Sequence, residues 1–236
     1  MLKKDYKKLY FLQNKFFNFW QTLKLPFYLT GGTALGRFYL KHRHSEDLDF
    51  FINQDENFND YMKFFAENLE KKFVVDKKNS LKYDTFYRFF IIENDILLKL
   101  EFVNDVPYRS GEPNDIYFGK IDTPLNILSN KISTIVNRDE PKDVFDIIYL
   151  ALNYDFNWKD VFFESKEKNI INEIDVEQRI NTFPVHFFDT VDWFIKKQDS
   201  GILEKYIQTI ADDFITGSNN SLCKTNIKIE DAIPII

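Results

Sequence analysis

The stretch GGTALGRFYLKHRHSEDLDFF, Gly31 to Phe51, decides the fold. It opens on adjacent glycines in a chain with only 7 among its 236 residues, and it closes on two carboxylates one residue apart, Asp47 and Asp49. FYLT, 27–30, is a short apolar run before the glycines, and TALGRFYLKH resumes helical spacing after them, so the order is strand, tight turn, helix. DLDFFI, 47–52, is the next strand. Side chains at i and i+2 of a strand share a face, so Asp47 and Asp49 point together while Leu48 and Phe50 face the other way. Carboxylates so placed repel unless a proton or a cation lies between them. A divalent ion of the Mg²⁺ type, which takes a few carboxylate oxygens plus water and substrate phosphates, resolves the conflict. A bare D-x-D is short and common, and an Asp47 cap beside a solvated Asp49 is the bland alternative. The glycine pair adds a second element. Where no Cβ intervenes, backbone N–H groups approach an anion, and a helix start contributes partial positive charge. Thr33 either caps that helix or offers its hydroxyl to a phosphate.

Outward from this stretch, Leu9, Leu12, Phe16, Phe19, Trp20 and Leu23 recur at helical spacing between lysines, which predicts an amphipathic helix over 5–24 that Pro26 ends. A helix over 57–72 follows, then strand at 73–75 and two long strand-like runs, KYDTFYRFFII and ILLKLEFV, joined by a turn at Asn94-Asp95. From Pro124 the pattern is helical only. Pro124 and Pro141 stand at first helical positions, and apolar stripes near 158–164, 174–183, 186–195 and 202–215 predict further helices, with a loosely held polar tail after Gly217 until IPII. The expected organisation is an α/β unit over 1–122 and a helical unit over 123–236. A net charge of -6 excludes a strongly basic nucleic-acid coat protein while leaving room for a local basic patch. The single cysteine, Cys223, allows no internal disulfide and sits without a visible base. No apolar run has membrane-spanning length, and Lys3, Lys4, Lys7 and Lys8 break any signal-peptide pattern, so a cytoplasmic location is expected.

LTGGTAL followed by HRHSEDLDFF resembles the minimal nucleotidyltransferase fold of DNA polymerase beta-like enzymes, and most closely the AbiEii/AbiGii toxins of type IV toxin–antitoxin systems. The family pattern is Gly-Gly or Gly-Ser after the first strand, then Arg-x-Ser-x-Asp-x-Asp; Arg43, Ser45, Asp47 and Asp49 match it position by position. The resemblance implies an α+β class, a small mixed sheet flanked by helices with a C-terminal helical domain. It also implies a third acid on a later strand to complete a two-metal site. In ILLKLEFV the lone acid is Glu101, and an acid among apolar residues is costly unless paired or metal-bound. Lys99, two residues away on the same face, is the alternative partner, and Asp105, in an expected loop, is the fallback acid.

Lys131 and Arg138 share a helix face, as do Asp143 and Asp146 on the next helix. The toxins carry a lysine helix, an arginine and a K-D-x-x-D stretch. The likeness implies that Lys131 meets the nucleotide and that Arg138, Lys142, Asp143 and Asp146 wall the cleft. The alternative has Asp143 in the first turn of its helix and Asp146 paired with Arg138. His42 and His44 lack metal-ligand spacing and are expected at the surface or beside a phosphate. Arg88 faces either cleft or solvent.

The activity so implied is metal-dependent transfer of NMP from an NTP to an acceptor hydroxyl. Asp47, Asp49 and Glu101 would be the catalytic acids and metal ligands for Mg²⁺ or Mn²⁺, with Glu101 as general base in the alternative. Gly31, Gly32 and Thr33 would hold phosphates, and Arg43 or Lys131 would offset pyrophosphate charge. Family likeness points to RNA, tRNA 3′ ends first, and to an antitoxin as genetic partner. A small-molecule (antibiotic) nucleotidyltransferase, a nonenzymatic nucleotide-binding module and a protein-modifying enzyme share the same motif and stay open.

Overall fold

Helix α1 (Tyr6–Leu23) forms because Leu9, Leu12, Phe16, Phe17 and Trp20 fall on one buried face while Lys7 and Lys8 face water, and Asp5 caps its start by accepting the Lys8 amide at 3.1 Å. The structure, a computed structural model, describes residues 5–138 and 140–235; Lys3, Lys4 and the final Ile236 lie outside them. Phe16 and Trp20 pack at a tilt against Phe50, ring centroids 6.0 and 4.4 Å away, so the aromatic richness of the chain is spent where α1 meets the sheet.

Eight strands make one mixed sheet: β1 (Tyr28–Thr30), β2 (Leu48–Asn53), β3 (Val74–Val75), β4 (Leu81–Lys82), β5 (Phe86–Glu93), β6 (Ile96–Asp105), β7 (Asn114–Ile116) and β8 (Gly119–Ile121). The order is β3-β5-β6-β2-β1-β8-β7, with β4 beside β5. Asn94 and Asp95, at φ 49° and 62°, supply the left-handed turn that joins β5 to β6. Strand β2 runs antiparallel to β1 and parallel to β6, a register that sets Asp49 opposite Thr30 on one side and Glu101 on the other. Leu48, Phe50, Leu100 and Phe102 face inward under α1 and α3 (Phe58–Lys72), so the carboxylates at 49 and 101 must emerge on the opposite face.

The glycine turn continues as α2 (Gly31–Ala34) and a wider π-type turn over Leu35–Tyr39. The returning chain passes so close that a Cβ on Gly36 would lie 2.8 Å from the Arg43 carbonyl oxygen. The helical half comprises α4 (Pro124–Ile135), α5 (Pro141–Asn153), α6 (Trp158–Lys166), α7 (Glu173–Asn181) and α8 (Ser200–Thr216), with Pro124 and Pro141 at helix starts as expected. No helix among the described residues is long and apolar enough to cross a membrane.

Three expectations are corrected, and two short strands were not expected at all. The 186–195 stripe is a 3-10 turn over Val185–Thr190 followed by extended chain, because the Trp193 carbonyl accepts the His44 amide at 2.8 Å and Phe194 bridges Arg43. Asp105 ends strand β6 instead of lying in a loop, held opposite Asn53. Strands β7 and β8, three residues each, went unexpected because so short a run shows no alternation. The tail after Gly217 is tied down: the buried Asn220 amide donates to the Ala151 and Tyr154 carbonyls at 2.6 and 2.8 Å, and Ile229 is fully buried.

Candidate active site

The exposed ends of β1, β2 and β6 face α4 and α5 across a cleft of about 590 Å³, within the size range of nucleotide sites. Its two walls carry opposite charge.

On the sheet wall, Asp47 stands just before β2 and Asp49 within it. Burial, then the neighbouring charges of Glu101 and Asp47, push the Asp49 carboxyl up to about 7. Gly31 makes room for it, since a Cβ there would lie 3.0 Å from Asp49 Oδ2, and its φ of 67° suits glycine. Lys99 Nζ lies 2.9 Å from Asp47 Oδ2 and 3.2 Å from Glu101 Oε2, and the Arg88 guanidinium lies 2.6 Å from Glu101 Oε1. Burial alone would raise the Glu101 carboxyl, but the Lys99 charge and the Arg88 hydrogen bond outweigh it and hold Glu101 below the ordinary range. The crowding that raises Asp49 is what a divalent cation relieves, so Asp47 and Asp49 fit such an ion. Glu101 is committed elsewhere, and no group of three or more ligand-type side chains converges on an ion position among the described residues.

On the helix wall, Asp143 and Asp146 project from one face of α5, three residues apart. Arg43 grips Asp146 through both forks, Nε to Oδ1 at 2.6 Å and Nη2 to Oδ2 at 2.7 Å. Lys131, from α4, bridges Asp143 Oδ1 and Asp146 Oδ2 at 2.7 Å each. His42 adds a third hydrogen bond to Asp146 at 2.6 Å. Burial would raise the Asp146 carboxyl, yet Arg43 and Lys131 hold it well below the carboxylate range. Burial holds the His42 ring down, so it is neutral, with Nε2 donating to Asp146 and Nδ1 left without a partner. Arg138 pairs with Asp143 at 2.5 Å while its side chain remains 56% exposed, so it reaches the mouth of the cleft.

Asp47, Asp49, Glu101, Gly31, Gly32, Arg43, Ser45, Lys131, Arg138 and Asp143 all line this cleft. Several details differ from expectation. Thr33 is buried and its hydroxyl donates to the Asp47 carbonyl, away from the cleft, while Thr30 lines it instead. Arg43 is buried against Asp146, and its guanidinium fills the space that a side chain on Gly32 would need. Gly32 is therefore demanded by Arg43 packing. Asp146 pairs with Arg43, His42 and Lys131 rather than with Arg138. His42 is buried, and His44 stacks on Tyr6 with centroids 4.1 Å apart.

Sequence reasoning passed over Asp122 and Lys168. Asp122 is fully buried, accepting hydrogen bonds from Thr30, Arg109 and Asn126 behind the β1 end. Lys168 is held by Asn126, Ser129 and Asn130, and burial pushes its amine down to about 8. Its KEK surroundings look like a solvated run and give no signal.

JHP933 of Helicobacter pylori is 20% identical over 92% of this chain and 94% of its own, with a TM-score of 0.59. A protein from H. pylori described as a nucleotidyltransferase is 19% identical over 90% and 94%, at 0.57. MenT4, a nucleotidyltransferase toxin from Mycobacterium tuberculosis, is 13% identical over 87% and 82%, at 0.51. At these identities the likeness shows the fold, a mixed sheet flanked by helices with a helical C-terminal region. Comparison with curated proteins gives no match. The model of the family described as nucleotidyl transferase AbiEii toxin, type IV toxin–antitoxin system, matches residues 18–169, spanning both walls of the cleft, and the chain belongs to that family of nucleotidyltransferases.

Proposed function

We propose that the cleft transfers a nucleotidyl group from an NTP to a hydroxyl of RNA, with tRNA 3′ ends as the first acceptor to test, in the cytoplasm of a cell that also carries the cognate antitoxin. The observation that carries this reading is the crowded Asp47–Asp49 pair beside the Gly31–Gly32 turn, facing a wall of cations across a nucleotide-sized cleft.

In this reading Asp47 and Asp49 hold a divalent ion, Mg²⁺ or Mn²⁺, which supplies Lewis-acid polarisation of the phosphates when bound. Gly31, with no side chain beside Asp49, lets the triphosphate approach the backbone there, while Gly32 serves the packing of Arg43. Arg138, exposed at the mouth, and Lys142, 3.7 Å from Glu46, attract the leaving pyrophosphate. Arg43 and Lys131 act by holding α5 in place and by adding positive field. The acceptor oxygen bonds to the α-phosphorus as the bond to the bridging β-oxygen breaks, and the hydroxyl proton leaves to water in the open cleft. Glu101, kept ionised by Lys99 and Arg88, is a weak proton acceptor and contributes charge instead. The sheet-bearing segment up to residue 122 supplies the acids, and the helical segment after it supplies the cationic wall.

Label transfer from each of the four α-³²P nucleotides to total tRNA, with Mg²⁺, tests this for wild type beside Asp49→Asn. Label on tRNA that disappears in the variant supports the reading and names the donor. Label that reaches only protein or an aminoglycoside, and never RNA, replaces the acceptor.

A further inference from the structure

Lys99 and Glu101 lie two apart on β6 and therefore share a face. Strand pairing brings Arg88 of β5 opposite Glu101 and Asp49 of β2 to its other side. Each Glu101 oxygen thereby faces a cation, Oε1 Arg88 at 2.6 Å and Oε2 Lys99 at 3.2 Å. The same Lys99 ammonium reaches Asp47 Oδ2 at 2.9 Å, so it spans the gap between the strand β6 acid and the D-x-D acid. Three carboxylates thus meet two fixed cations, and only the Asp47–Asp49 side retains excess negative charge. A further divalent ion at Glu101 would have to displace an ammonium from two half-buried carboxylates and would meet the charge of Arg88.

We infer that Lys99 is the resident second cation of this site: its ammonium takes the place between Asp47 and Glu101, so the chain loads one divalent ion, at Asp47 and Asp49, rather than two. The inference rests on the nucleotidyl-transfer reading and deepens it. Lys99 is on this account a positioning residue, fixing the Asp47 carboxylate for the ion while Glu101 remains a paired anion and not a ligand. Its length matters, since the charge must reach both carboxylates from one strand position. Arginine keeps a charge there, and methionine keeps only the stem.

Mn²⁺ bound per chain, measured by electron paramagnetic resonance of the free ion against the full-length protein without nucleotide, decides it. Wild type and Lys99→Arg are expected to saturate at one Mn²⁺, and Lys99→Met at two. Two ions in wild type, or one ion in a Lys99→Met protein that unfolds at the wild-type denaturant midpoint, overturns the inference and leaves nucleotidyl transfer intact. If wild type takes up no saturable Mn²⁺ and Asp49→Asn behaves identically, the ion-binding reading falls, and this inference with it.

Discussion

Two carboxylate clusters face each other across the cleft, and they are built to opposite ends. On the sheet, Asp47, Asp49 and Glu101 outnumber their cations, Lys99 and Arg88, and Asp49 is pushed up to about 7. On α5, Asp143 and Asp146 are outnumbered by Arg43, Lys131 and Arg138, and Asp146 is held well below its ordinary range. The residue type is the same and the surroundings decide the role. A carboxylate crowded by its own kind seeks a cation from solution, whereas one gripped by buried cations is a latch. Desolvation raises both Asp49 and Asp146, so it is the neighbouring charges that separate them.

The comparison breaks most visibly in the two aspartate variants. Asp49→Asn should lower transfer by more than about a hundredfold, beyond what a residue supporting a ligand costs, while leaving the fold intact. Asp146→Ala should do the reverse at first order. It strands Arg43 and Lys131 without their shared acid, and breaking a buried pair costs about 3–5 kcal/mol, read as a lower midpoint in urea denaturation. If Asp146→Ala unfolds at the wild-type midpoint, the latch is not one.

A pH series without divalent ions sharpens the contrast. The unfolded Asp49 ionises near 3.8 and the folded one near 7, so between these values the native chain holds the extra proton and raising the pH favours unfolding. The Asp49 contribution is therefore fully present below 3.8, fades as pH rises through about 7, and is flat above. Asp146 runs the other way, its stability present above 3.8 and lost as pH falls towards its depressed folded value. Wild type minus Asp49→Asn in denaturation midpoint should become more negative from pH 4 to 8, and Mg²⁺ at pH 8 should shrink that gap. A gap that ignores both pH and Mg²⁺ contradicts the crowded-pair account. The smallest effect belongs to Arg138→Ala. Its half-exposed pair is worth at most about 1 kcal/mol of stability, yet KM for NTP should rise roughly tenfold if it meets phosphate.

These contrasts were partly legible in the sequence. Strand, glycine pair, helix and D-x-D lie within 27–52, and local spacing alone placed Asp47 and Asp49 beside Gly31. The helix starts at Pro124 and Pro141 were local too, and they put Lys131 and Asp143 on facing helices. Pairings across the chain were not legible. Arg43 and Asp146 stand 103 residues apart, and nothing near either says that a bidentate grip will bury them both. Thr33 turned inward because the loop before β2 brought the Asp47 carbonyl over it, a tertiary event invisible in GGTA. His42 followed Arg43 into the interior for the same reason. Glu101 was found as a lone acid in an apolar strand, but that Arg88 and Lys99 would both engage it depended on strand register, which a single sequence does not fix.

The measurement that tests the account most directly is anomalous diffraction from Mn²⁺ in crystals grown with a non-transferable NTP analogue. The account predicts an anomalous peak held by Asp47 and Asp49, the triphosphate running past Gly31 towards Arg138, and Asp146 still in the grip of Arg43. A peak at Asp143 and Asp146, or a triphosphate seated away from the Gly31–Gly32 turn, would contradict it.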